Sequence, residues 1–71
     1  MVGMTHVTSS NLAAVGYDAS TQQLYIKFNH GGTYVYSGVP EDVHQALMEA
    51  GSKGTFFHYN IKTAGYPYQK L

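Results

Sequence analysis

The run QLYIKFNHGGTYVY constrains this chain more than any other segment. Leu24, Ile26 and Phe28 alternate with Gln23, Tyr25 and Lys27, the period of a half-buried strand. NHGG follows, rich in residues that accept positive φ. TYVYS then returns with β-branched and aromatic residues that suit a second strand. The segment is predicted to be an antiparallel hairpin.

Register decides what the tyrosines of that hairpin do, because a slip of one residue reverses a strand's faces. Pairing Phe28 with Thr33 would turn Tyr34 and Tyr36 outward. Pairing Phe28 with Tyr34 sets Tyr36 opposite Ile26 and leaves His30-Gly31-Gly32 as a three-residue loop, in which glycine supplies a left-handed position. That register is expected, because it gathers Leu24, Ile26, Phe28, Tyr34 and Tyr36 on one face. The outer face then carries Tyr25, Lys27, Thr33 and Val35. Upstream, LAAVGYD supplies a preceding strand. Pairing Tyr17 with Leu24 and Val15 with Ile26 brings Ala13, Val15 and Tyr17 to the core face, with Ala19 to Gln22 as the turn.

After the strands the hydrophobic period lengthens. VPEDVHQALMEAG places Val43, Leu47 and Ala50, with Ala46 beside them, at helical spacing. Pro40 suits the first turn, Glu41 and Asp42 suit the helix dipole, and Gly51 suits a left-handed stop. Ser52 is the expected N-cap of a second helix, KGTFFHYNIKTA, with Phe57, Ile61 and Ala64 along one stripe. Gly65 and Pro67 close it, and the tail YPYQKL is expected to be extended. The predicted fold class is α+β: a three-stranded antiparallel β-meander followed by two short helices packed on one face. Residues 1–71 make a single domain with its core in 7–68, and residues 1–6 are expected to be a flexible lead-in.

Such a short chain has a marginal core, and it has no cysteine to staple it. Seven tyrosines and three phenylalanines supply large buried areas instead. The N-terminus lacks the basic and apolar regions of a signal peptide, and no apolar run could span a bilayer. A soluble, cytoplasmic protein is expected. Formal charge is zero. However, Asp18, Glu41, Asp42 and Glu49 precede residue 50, whereas Lys53, Lys62 and Lys70 follow it without an acid. Arginine is absent, which argues against a dedicated duplex binder.

The run SSNLAAVGYD, the strand LYIKF, the YVY pair, the VP dipeptide and AGSKGTFFHYNIK together resemble the KTSC domain family, over roughly residues 7–68. The residues that carry the resemblance are Ser9, Ser10, Tyr17, Tyr34, Tyr36, Val39, Pro40, Ser52, Gly54, Phe57, Ile61 and Lys62. That family takes its name from a segment at the C-terminus of some lysyl-tRNA synthetases and also occurs as small stand-alone proteins. The synthetase context implies a binding domain with RNA as its suggested ligand; this chain has no synthetase domain.

The residues themselves offer one nucleic-acid surface. Backbone amides of Ser52, Lys53 and Gly54 at a helix start could meet a phosphate, with His58 and Lys62 beside them. Tyr25 and Lys27 on the outer sheet face could add a stacking ring and a cation. Against this, Ser52 is as readily a plain cap and Gly54 a packing glycine, and one exposed tyrosine is normal. The four histidines, His6, His30, His44 and His58, have no metal-ligand spacing, so neither metal nor cofactor is expected. Ser9, Ser10 and Ser52 lack a nucleophile signature, and Glu41 and Asp42 point apart on a helix, so no enzyme is expected. The expected function is a small non-catalytic domain that binds RNA or single-stranded nucleic acid. The alternative is a protein–protein interaction module that uses a sheet edge or the aromatic tail, with a second copy of the chain among its candidate partners.

Overall fold

Five strands in sequence order, each antiparallel to the next, form one sheet in the computed structural model, which describes residues 3–71. They are β1 (Thr5–His6), β2 (Leu12–Asp18), β3 (Gln23–Phe28), β4 (Thr33–Tyr36) and β5 (Tyr68–Lys70). Between β4 and β5 lie α1 (Glu41–Glu49), α2 (Lys53–Phe57) and a π-helical turn, His58–Lys62, that continues α2. The expected meander is β2–β3–β4. The two further strands correct the expected count, and both come from segments with little hydrophobic alternation. Thr5 and His6 pair with Val15 and Ala14, and the tail YPYQKL supplies Tyr68 opposite Tyr36 and Lys70 opposite Tyr34. Met1 and Val2, part of the expected lead-in, lie outside the described residues.

The core lies on one face of the sheet, under the helices. Leu12, Val15, Leu24, Ile26 and Tyr36 pack from the strands against Val39, Leu47, Phe57 and Ile61. The β2–β3 register is the expected one, with Val15 opposite Ile26 and Tyr17 opposite Leu24. A bulge falls at Ala13, since Leu12 faces Phe28 and Ala14 faces Lys27. Leu12 therefore takes the core place expected of Ala13, because an extra residue in one strand reverses its faces beyond that point.

In the β3–β4 hairpin the pairing lies two residues from the expected one. Ile26 faces Tyr34 and Leu24 faces Tyr36. An even shift leaves the faces unchanged, so the tyrosines join the helix-covered face as predicted. The loop is Asn29-His30-Gly31, closed by Phe28 N–H donating to the Gly32 carbonyl and Gly31 N–H to the Phe28 carbonyl, both 3.1 Å. Gly31 holds φ at 94°, the left-handed position such a loop needs. Asn29 does not pair with Thr33. Its N–H donates to the Asn11 carbonyl at 2.8 Å and its side-chain amide to the Ser9 carbonyl at 2.9 Å. This contact across the sheet draws Asn29 into the loop.

The helices depart from expectation in detail. Pro40 caps α1 from outside, and Leu47 is its one fully buried residue, with Val43 and Met48 packed beside it. Ala46 is exposed. Ala50 leaves α1 in extended backbone, φ −67° and ψ 139°, so Gly51 is not the left-handed stop that was expected. The chain straightens directly into Ser52, whose hydroxyl accepts the Thr55 N–H at 3.4 Å and caps α2 as predicted. The π-turn replaces the end of the expected second helix: Thr63 N–H donates to the His58 carbonyl five residues back, at 3.1 Å. Ala64 lies beyond that turn and is exposed, so the predicted stripe ends at Ile61. Among the described residues, no helix is long and apolar enough to cross a membrane.

Candidate functional site

At the α2 start, where the sequence suggests a phosphate seat, the residues are engaged in packing and capping. A Cβ on Gly54 would stand 3.2 Å from Asn11 Nδ2 and 3.3 Å from Ser9 Oγ, so its open side is filled by the turn before β2. That turn is itself locked. Ser9 Oγ accepts the N–H groups of Asn11 and Leu12, both at 3.2 Å. Gly54 is thus a packing glycine, the plainer of its two readings. Lys53 is half-buried and its ammonium donates to the Ala50 carbonyl at 3.2 Å. Ser52 is occupied as a cap, also donating to Thr55 Oγ1 at 2.9 Å. His58 is exposed and meets only Tyr59 edge-on, at 4.9 Å. Tyr25 is half-buried on the outer face, opposite Val35, with its hydroxyl 3.3 Å from Gln23 Oε1.

Lys62 is placed differently. It lines a cleft of about 550 Å³ between the β3–β4 hairpin, β5 and the end of the helical segment. Five aromatic rings build this cleft. Phe28 meets Tyr34 and Phe57 edge-to-face at 5.5 Å, and Phe57 meets Tyr36 at 5.4 Å. Tyr68 then closes the set, 5.5 Å from Tyr36 and 6.1 Å from Tyr34. His30 and Gly31 complete the lining at the hairpin tip. The π-turn explains how Lys62 reaches it. In a π-helix residues five apart fall on one side, so Lys62 comes round to the side of Phe57. In an α-helix, Asn60 and Ile61 would be the neighbours of Phe57 on that side, not Lys62.

The polar groups of the cleft are phenols and cations. Burial raises the Tyr36 hydroxyl above the ordinary tyrosine range, with the neighbouring Tyr68 and Tyr34 phenols adding to it. Tyr36 therefore remains protonated near neutrality, and the phenol hydroxyls of the cleft can donate or accept. Lys70 stands on the same face, its Cε 3.5 Å from the point a Cβ on Gly32 would occupy. Lys27 emerges from the other face of the same hairpin, opposite Thr33. No acid lines the cleft.

Three of the four acids gather at the far end of the sheet. Asp18 pairs with Gln23 at the start of β3, and Asp18, Glu41 and Asp42 all act on the Tyr17 hydroxyl. The two ends of β3 lie about 17 Å apart at the usual rise per residue, beyond the screening length of roughly 8 Å in physiological salt. From sequence, Phe28, Tyr34 and Tyr36 are expected in the core and His30 in a loop, and the tail figures only as the alternative contact for a protein partner. The signal available was the aromatic pair Tyr66 and Tyr68 in the tail, which lacked only a known place to pack. Among the described residues, no group of three or more His, Asp or Glu side chains could hold a metal ion.

Comparison with known proteins gives consistent results. The KTSC domain profile matches residues 8–66. An uncharacterized protein of Stutzerimonas stutzeri (strain A1501) is 41% identical over 63 residues, covering 89% of each chain. A lysine–tRNA ligase of Nostoc sp. (strain PCC 7120) is 39% identical over 62 residues, covering 87% of this chain and 11% of the ligase. The crystal structure of a KTSC domain protein from Yersinia pestis matches with a TM-score of 0.95 at 41% identity, over 100% of this chain and 99% of that one.

Proposed function

The chain belongs to the KTSC domain family, and from that premise we propose that it is a non-catalytic binding domain for single-stranded nucleic acid such as RNA. The hairpin end of the sheet is its binding face. One observation carries the reading: Lys62 lines and Lys70 borders an aromatic cleft with no acid in its lining, and Lys27 emerges from the other face of the same hairpin. Lysines meet phosphates as point charges, and aromatic rings accept bases regardless of sequence. Lys53, Ser52 and Gly54 drop out of the proposed interface because each is engaged in packing or capping. A matching segment within a lysine–tRNA ligase adds support from context alone.

The alternative, a protein-interaction module acting through a sheet edge or the aromatic tail, has less support. β5 already occupies the β4 edge, and the outer strands β1 and β5 are short, as edges that resist pairing usually are.

Titrating the protein with short single strands at two salt concentrations tests the reading. Affinity is expected to fall as salt rises, and Lys62→Gln and Lys70→Gln are each expected to reduce the salt slope by about one. Lys53→Gln should leave it unchanged. No binding at low salt would refute the reading.

A further inference from the structure

We propose that the aromatic cleft seats one unpaired nucleobase, stacked on the open face of Tyr68, with the flanking phosphates drawn to Lys62 and Lys70. The inference rests on the nucleic-acid reading above and names the part of the strand that is held.

Tyr68 is 65% exposed. An exposed ring usually moves freely, yet this one is braced by Tyr36 and Tyr34 and fixed on a strand paired to β4. A braced ring with one face open is a stacking surface that loses little freedom on binding. Phe28 and Phe57 form the floor beneath. The volume, about 550 Å³, lies in the range of sites for small ligands and is too small for a helix or a duplex. A base must therefore leave its partner to enter, which selects single strands. The tyrosine hydroxyls can each donate or accept, so the seat is expected to tolerate any base. Charge selects a nucleotide over an apolar side chain, since one lysine lines the cleft, a second stands at its rim and no acid opposes them.

The test uses the full chain and two labelled strands of about six nucleotides. One carries all its bases; the other is abasic at its central positions. Strand anisotropy reports affinity. Tyrosine emission reports ring contact, since the chain has no tryptophan. The abasic strand is expected to bind about tenfold more weakly, and only the base-bearing strand should quench tyrosine. Tyr68→Ala should lower affinity for the base-bearing strand to the level of the abasic one and leave the abasic strand unaffected. Tyr68→Phe should retain tight binding, and it guards against loss of fold in the alanine variant. Equal, salt-sensitive affinity for both strands would overturn the base seat while leaving the nucleic-acid reading intact. Failure of both strands to bind at low salt would overturn both readings. Binding of an aromatic acidic peptide in place of any strand would also overturn both and assign the cleft to a protein segment.

Discussion

A methyl group at position 54 would press on Ser9 Oγ at 3.3 Å and Asn11 Nδ2 at 3.2 Å. Ser9 has no room to retreat, because its hydroxyl accepts two backbone N–H groups and its carbonyl accepts the Asn29 amide. Alanine would gain about 1 kcal/mol over glycine in helix propensity, but overpacking costs about 1–3 kcal/mol. Gly54→Ala is expected to lower Tm slightly and Gly54→Val to lower it further. Thermal melts of the two variants check this, and a rise in Tm for alanine would mean that the Ser9 turn yields. His44 gives a second residue-scale prediction. Its ring stacks on Tyr17 at 4.5 Å with 10° between planes, and the Tyr17 hydroxyl donates to the Val39 carbonyl at 2.5 Å. Burial holds the imidazole below the ordinary value of 6.5, with Glu41 opposing that shift. The unfolded chain therefore binds the proton more readily than the folded one, so stability falls as pH drops through 6.5 toward the lower folded value. Tm measured from pH 7 to pH 5 should decline in the wild type and decline less in His44→Phe. Equal slopes would show that His44 does not contribute.

At the scale of elements, β5 has two roles. It covers the β4 edge, through Leu71 N–H donating to the Thr33 carbonyl and Ser37 N–H to the Pro67 carbonyl, both 2.8 Å. It also supplies Tyr68 to the cleft wall. Removing residues 67–71 is expected to lower Tm and to expose β4 as an unpaired edge beside buried Val35. Light scattering over a concentration series should then show more self-association than in the intact chain; a truncated chain that associates no more than the intact one would mean that β5 is not needed to guard the edge. The central strands were legible because Leu24, Ile26 and Phe28 alternate without exception. β5 was not, because YQK has no hydrophobic face and becomes a strand only by pairing with one already formed. The π-turn was equally hidden. Phe57 and Ile61 fit an α-helix as well as a π-turn, and only the i→i+5 bond at His58 separates them.

The whole molecule is electrically polarised although its formal charge is zero. Asp18, Glu41 and Asp42 lie near Tyr17, while Lys27, Lys62 and Lys70 lie around the hairpin at the other end of β3. The charge split along the sequence foreshadows this only in part. Lys27 sits among the acids in sequence and with the lysines in space, whereas Lys53 follows the acids in sequence and stays at the α2 start, held by the Ala50 carbonyl. Local chemistry alone determined much of this protein. Alternation set the strand faces, Gly31 set the hairpin type, Ser52 set the start of α2, and the ordered motifs marked the family. Each of these depends on neighbours within a few residues, where backbone sterics and hydrophobic period act directly. Only the tertiary structure decided that Tyr34 and Tyr36 serve both core and cleft, that Tyr68 and Lys62 join them, and that Gly54 is spent on packing. Those outcomes depend on contacts between segments more than 30 residues apart. Their register follows from a bulge, a π-turn and an edge pairing, none of which leaves a periodic trace in the chain.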